Sequence, residues 1–111
     1  MKVQNLIGDS LNYAVAICEG VEYPHNYFPS NDWSQGGPII EREGIDVNRV
    51  TDSLWSASLW INNSGMAKNP AQRFRHNIYM DGPTPLVAAM RCLVSSKLGA
   101  EVEIPDFVHN T

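Results

Sequence analysis

Apolar residues recur along this chain at two periods, and the switches between them mark out its elements. Leu11, Ala14, Val15 and Cys18 fall at i, i+3, i+4 and i+7, one stripe of a helix. Asp9 or Ser10 offers a capping oxygen to the first turn and Gly20 suits a left-handed closing residue, so the spacing predicts a helix over 9–19. A longer stripe, Leu86, Ala89, Met90, Leu93 and Val94, follows Thr84 as N-cap and Pro85 as first helical residue, with Gly99 as the stop. Its other side carries Ala88, Cys92 and Ser95 and is only weakly polar, which makes the helix over 84–98 the expected centre of the fold.

The alternating period covers the middle of the chain. Residues 45–50, 54–61 and 72–80 each read apolar-polar-apolar, the pattern of strands with one wet face, and the turn residues Thr51-Asp52-Ser53 and Asn62-Asn63-Ser64-Gly65 separate them into a meander. Residues 2–7 and 101–104 are short enough to add one strand each. The expectation is an α+β fold: an antiparallel sheet of four to five short strands, the two main helices on one face, and residues 105–111 as a frayed tail. The 111 residues contain no repeat or boundary and read as one domain, 1–111.

Residues 21–37 break both periods. They are dense in turn formers and hold Tyr23, Tyr27, Phe28 and Trp33, so they read as a long loop that packs down, followed by a short helix near 38–43 that Pro38 opens and Gly44 ends.

Composition narrows the chemistry. A net charge of -4 disfavours broad binding to phosphate backbones. No apolar run is long enough to cross a bilayer and the N-terminus lacks a secretory pattern, so the expected location is cytoplasmic. Cys18 and Cys92 share no metal or redox spacing and read as two reduced thiols. His25, His76 and His109 have no HxxxH or HExxH spacing, so no metal and no cofactor are expected.

Two places hold candidate binding chemistry. In the first, Asp32, Trp33, Gln35, Gly36 and Gly37 precede a helix start, where consecutive amides can cradle an anion with Arg42 nearby. The same glycines also suit a tight turn, and Glu41 and Glu43 oppose a phosphate, which favours a structural role. Arg91 belongs with this group: it is the one charge in the first three turns of its helix and calls for a partner, expected to be Asp32 or Glu41. The second place is a small basic face of Arg49, Lys68, Arg73 and Arg75 beside Tyr79, which contains the ingredients of single-strand nucleic-acid binding.

The segments Asp32-Trp33-Ser34-Gln35-Gly36-Gly37-Pro38-Ile39-Ile40-Glu41 and Gly82-Pro83-Thr84-Pro85-Leu86-Val87-Ala88-Ala89-Met90-Arg91-Cys92 resemble the NinX-like family of phage and prophage proteins. So do Leu98-Gly99, Glu101-Val102-Glu103-Ile104-Pro105 and, early in the chain, Leu11-Asn12-Tyr13-Ala14-Val15-Ala16. Residues 46–80 match least. The resemblance implies a small protein encoded by a tailed phage or prophage, and it transfers no activity, catalytic residue or cofactor.

The leading expectation is a non-enzymatic accessory protein that binds a host or phage protein. A nucleic-acid binder using the basic face is the alternative, and a small enzyme or anion site between the Trp33 loop and Arg91 is the third. The first and third require the glycine–tryptophan segment to lie against the C-terminal helix.

Overall fold

The computed structural model describes residues 1–22, 26–62 and 75–108, without the side chains at 61, 62, 75 and 76. Its elements are a 3₁₀ turn at Val3–Asn5, α1 (Gly8–Glu19), α2 (Trp33–Glu43), β1 (Asp46–Thr51), β2 (Leu54–Asn62), β3 (Arg75–Gly82) and α3 (Pro85–Leu98).

Helix α3 begins as its sequence dictates. Thr84 is extended and its Oγ1 accepts the Val87 amide at 3.1 Å, Pro85 takes the first position, and Gly99 at φ 90° ends the helix. From Leu86 to Val94 only Arg91 escapes full burial. A helix apolar all round needs cover on every side. The sheet covers one side, and α1 and α2 pack on others. The expected arrangement, with both main helices on one sheet face, therefore becomes layered: α3 lies on the strands and α1 packs chiefly on α3.

The strands run antiparallel in the order β1-β2-β3. The register pairs Val47 with Ala57, Ala57 with Met80 and Leu59 with Ile78, bringing the apolar positions of all three strands together beneath α3. Opposite positions point outward because side chains alternate along a strand, leaving Ser56, Ser58 and the exposed Tyr79 on the far face.

Among the described residues the sheet has three strands, not four or five. In residues 2–7 the two fully buried side chains are Val3 and Leu6. That spacing of three suits a 3₁₀ turn with three residues per turn, whereas a strand would put positions three apart on opposite faces. Residues 101–104 contribute one antiparallel bridge, Glu101 to Lys2, flanked by bonds from Val3 N to Ala100 O and from Val102 N to Met1 O, both 2.9 Å. The start of the tail makes contacts of its own. Val108 is buried and bonds Pro105 O at 3.0 Å, and Phe107 stands edge-on to Tyr13 at 5.9 Å. Residues 109–111 lie outside the described residues.

Helix α1 keeps its stripe and its left-handed Gly20, but Ile7 is the N-cap residue and Ser10 sits one turn in. Ser10 Oγ donates to Ile7 O at 2.8 Å and accepts Ile7 N at 3.4 Å. Asn12, two residues on, is fully buried. Its Oδ1 accepts Ser30 N at 3.0 Å and Ser30 Oγ at 2.7 Å, while Nδ2 donates to Asn31 Oδ1 at 3.3 Å. A buried amide stays in place only with such partners, and here they bind the loop before α2 to α1.

The largest departure is α2, which starts at Trp33 and not near residue 38. Asp32 caps it: Oδ1 accepts Ser34 N at 2.9 Å and Ser34 Oγ at 2.7 Å. Gln-Gly-Gly-Pro reads locally as a turn because glycine and proline are poor helix formers. Packing overrides that preference. A Cβ on Gly36 would lie 2.2 Å from Pro29 O and 2.7 Å from Leu86 Cδ2, so only glycine allows the helix this close. Pro38 removes a donor to the carbonyl of Ser34, an exposed residue that water can satisfy.

Gly36→Ala should therefore cost about 1–3 kcal/mol of stability through overpacking. Gly37→Ala, whose Cβ would meet only the Trp33 ring at 3.7 Å, should be neutral or gain up to about 1 kcal/mol from helix propensity. Urea denaturation of the two variants checks the contrast, and equal effects would refute the packing argument.

The thiols report on the same core. Burial, assisted by the Glu19 charge, pushes Cys18 up to about 11, and burial pushes Cys92, which donates to Ile78 O at 3.2 Å, up to about 12. Both hold their protons more tightly when folded, so their contribution is fully present below about pH 9 and is lost as pH rises through about 11 for Cys18 and about 12 for Cys92. At pH 8 the folded chain should alkylate with iodoacetamide about 100-fold more slowly than the denatured chain.

Candidate functional site

The glycine–tryptophan segment and the start of α3 do meet. Leu86 packs on Gly36, and beside that contact Trp33, 56% exposed, lines a cleft of about 180 Å³ with Ser30, Asn31, Thr84, Pro85 and Leu86. The cleft exists because three local decisions coincide. Asn12 holds the loop, Asp32 starts a helix that projects Trp33, and Gly36 lets that helix press against α3.

The other residues of this segment have structural duties. Asp32 is the helix cap, and the amides of Gln35 and Gly36 donate to Asp32 O at 3.0 and 2.9 Å. The expected anion cradle is therefore closed: a helix has formed where a loop was read, and its first turn turns these amides inward. The Gln35 side chain bridges the loop, its Oε1 accepting Phe28 N at 2.6 Å and its Nε2 donating to Asn26 O at 3.0 Å. Gly36 and Gly37 set helix spacing.

Arg42 lies at the far end of α2. It makes a bidentate pair with Glu19, at 2.8 and 2.7 Å, and donates from Nε to Glu43 Oε2 at 2.9 Å; Lys97 lies 3.4 Å from the same residue. These bonds raise the Arg42 guanidinium above its ordinary range, and the bond from Arg42 is the main reason Glu43 is held below the usual carboxylate range. The network ties the C-terminal ends of α1, α2 and α3. With the Arg42 side chain 52% exposed, each pair contributes at most about 1 kcal/mol, so this is bracing and not an anion site.

Arg91 does not pair with Asp32 or Glu41. Its Nε donates to Leu6 O at 2.8 Å and its Nη1 to Asp81 O at 2.7 Å. Leu86 marks the α2 side of α3, whereas Arg91 points to the 3₁₀ turn and the end of β3. It lines a separate cleft of about 500 Å³ with Gln4, Asn5, Ser53, Tyr79, Asp81 and their neighbours. Burial lowers its pKa, with the Asp81 charge pulling the other way, and an arginine so placed keeps its charge at neutral pH. In the sequence, the isolated charge on an apolar helix is what distinguishes Arg91. Its partners are backbone carbonyls, which no residue pattern announces.

Of the basic face, Arg49 is described: it pairs with Asp52 and its Nε donates to Thr51 O at 3.4 Å. Lys68 and Arg73 lie outside the described residues, and Arg75 is placed only as the first residue of β3, opposite Asn62. His25 and His109 also lie outside, and of His76 only the backbone in β3 is described. Tyr79 OH accepts Asn77 Nδ2 at 2.9 Å. Among the described residues no three His, Cys, Asp or Glu side chains gather as metal ligands, and no helix is long and apolar enough to cross a membrane.

No curated protein matches the chain. The sequence model of the family described as Bacteriophage P22, NinX matches residues 20–97, a span that takes in α2, the sheet and all but the last residue of α3. It includes both segments that form the Trp33 cleft. On that match the chain belongs to the phage NinX family.

Proposed function

We propose that this phage-family protein is a non-enzymatic accessory factor of the host cytoplasm, encoded by a phage or prophage, that binds a host or phage protein through the Trp33 cleft. One observation carries the reading: an indole more than half exposed beside a small pocket whose far wall, Thr84-Pro85-Leu86, is the rigid start of α3. Tryptophan exposed on one side and braced on the other is the residue type that most often dominates protein interfaces. The pocket, about 180 Å³, suits a single apolar side chain of a partner better than a metabolite.

Two further features agree. Both walls come from the segments that carry the family resemblance. The net charge of -4 and the Arg49–Asp52 pair favour a protein partner over nucleic acid on the Arg49, Lys68, Arg73 and Arg75 face.

Capture from phage-infected host lysate, with and without nuclease, tests the reading. A nuclease-resistant protein partner should be retained by the wild-type chain and reduced at least about tenfold by Trp33→Ala, with circular dichroism unchanged. Retention that nuclease abolishes, or that Trp33→Ala leaves intact, would overturn it.

A further inference from the structure

The second cleft has a different character. It lies at the end of the sheet, between the 3₁₀ turn, the β1–β2 turn, the last residues of β3 and α3. At about 500 Å³ it is larger than the Trp33 cleft and falls within the range of small-molecule sites. Residues with polar side chains from four separate parts of the chain line it: Gln4 and Asn5, Ser53, Asp81 and Arg91.

Arg91 is the group that needs explaining. Two backbone carbonyls hold Nε and Nη1, which fixes the plane of the guanidinium and leaves Nη2 as the nitrogen they do not hold. The hydrogen bonds described for the half-buried Arg91 go to carbonyl dipoles and not to a carboxylate. A neutral donor could hold two carbonyls equally well. A guanidinium held at two nitrogens, with the third left over by those bonds, is the geometry that receives an oxyanion. The wall behind it is closely packed: a Cβ on Gly82 would meet Ala88 N at 2.7 Å, so the end of β3 is pressed directly onto α3.

We propose that this cleft binds a small molecule bearing a carboxylate or phosphate, its oxyanion on Arg91 and a hydrogen-bond donor of the same molecule on the Asp81 carboxylate. Asp81 sets the selectivity. Its negative charge weakens binding of a bare anion and favours a ligand whose hydroxyl, amino or acidic proton reaches it. The apolar surfaces of Leu54, Met80 and Pro83 take the carbon skeleton. The site shares no lining residue with the Trp33 cleft, so it stands or fails independently of the protein-binding reading.

The test is nitrogen-15 NMR of the full chain titrated with inorganic phosphate and, separately, acetate, at constant ionic strength set with chloride. Saturable shifts are expected at the Arg91 Nε–H and at the Asn5 and Gly82 amides, with none at the Trp33 indole. The stronger of the two anions identifies the oxyanion class. Asp81→Asn keeps the backbone carbonyl that holds Arg91 and should tighten binding at least about threefold by removing a like charge. Arg91→Lys should weaken it at least about tenfold by losing the planar fork. A linear response equal to that of chloride, or a saturable one that Asp81→Asn leaves unchanged, would overturn the proposal. Because Asp81→Asn does not disturb the Arg91 anchor, the result can be read even if Arg91→Lys fails to fold.

Discussion

Between Leu86 and Val94 helix α3 has a single residue that is not fully buried, and the rest of the molecule is arranged to cover that stretch. The strands take one side and α1 and α2 take others. Magnitude decides why this dominates. Burying a Leu, Val or Met side chain completely is worth about 1.5–3 kcal/mol, and α3 does so repeatedly. An exposed ion pair such as Arg42–Glu19 gives about 0–1 kcal/mol. The charged network at the helix ends trims the packing and does not create it.

Close approach to α3 explains the glycines that matter. Gly36 lets α2 touch Leu86, and Gly82 lets β3 end against Ala88. Each contact also builds a cleft, one holding Trp33 and the other Arg91. The two candidate surfaces are thus by-products of the same requirement, placed where an element reaches α3 from a different side. Arg91 is the exception on that helix because it sits where the 3₁₀ turn and β3 each offer a carbonyl in place of an apolar wall.

Elements whose local signals agreed with their surroundings were legible in advance. Thr84, Pro85 and Gly99 bracket α3, Gly20 closes α1, and the alternation over 45–50 and 54–61 marks β1 and β2. Where local and tertiary demands conflicted, the local reading failed. Gln35-Gly36-Gly37-Pro38 reads as a loop and folds as helix, because the contact with Pro29 and Leu86 needs glycine more than the helix needs propensity. Residues 2–7 read as a strand because their composition allows one, but burial of both Val3 and Leu6 demands the tighter turn. Of the candidate site residues, Trp33 stands exposed at the start of α2, whereas the Gln35 side chain, the Gln35 and Gly36 amides and the Arg42 guanidinium are taken up by the helix, its loop and its ion pairs.

By itself the sequence determined the α+β class, the centrality of α3, the strands of the meander and the resemblance to a phage family, all of which follow from periodicity, caps and short motifs carried on contiguous residues. The tertiary structure alone decided where α2 begins, what holds Arg91, and that Trp33 and Arg91 belong to two clefts and not one. Each of these depends on a backbone atom far away along the chain, Pro29 O for Gly36 and Leu6 O for Arg91. Every residue has a carbonyl, so such partners leave no mark on composition or spacing, and only the folded chain selects among them.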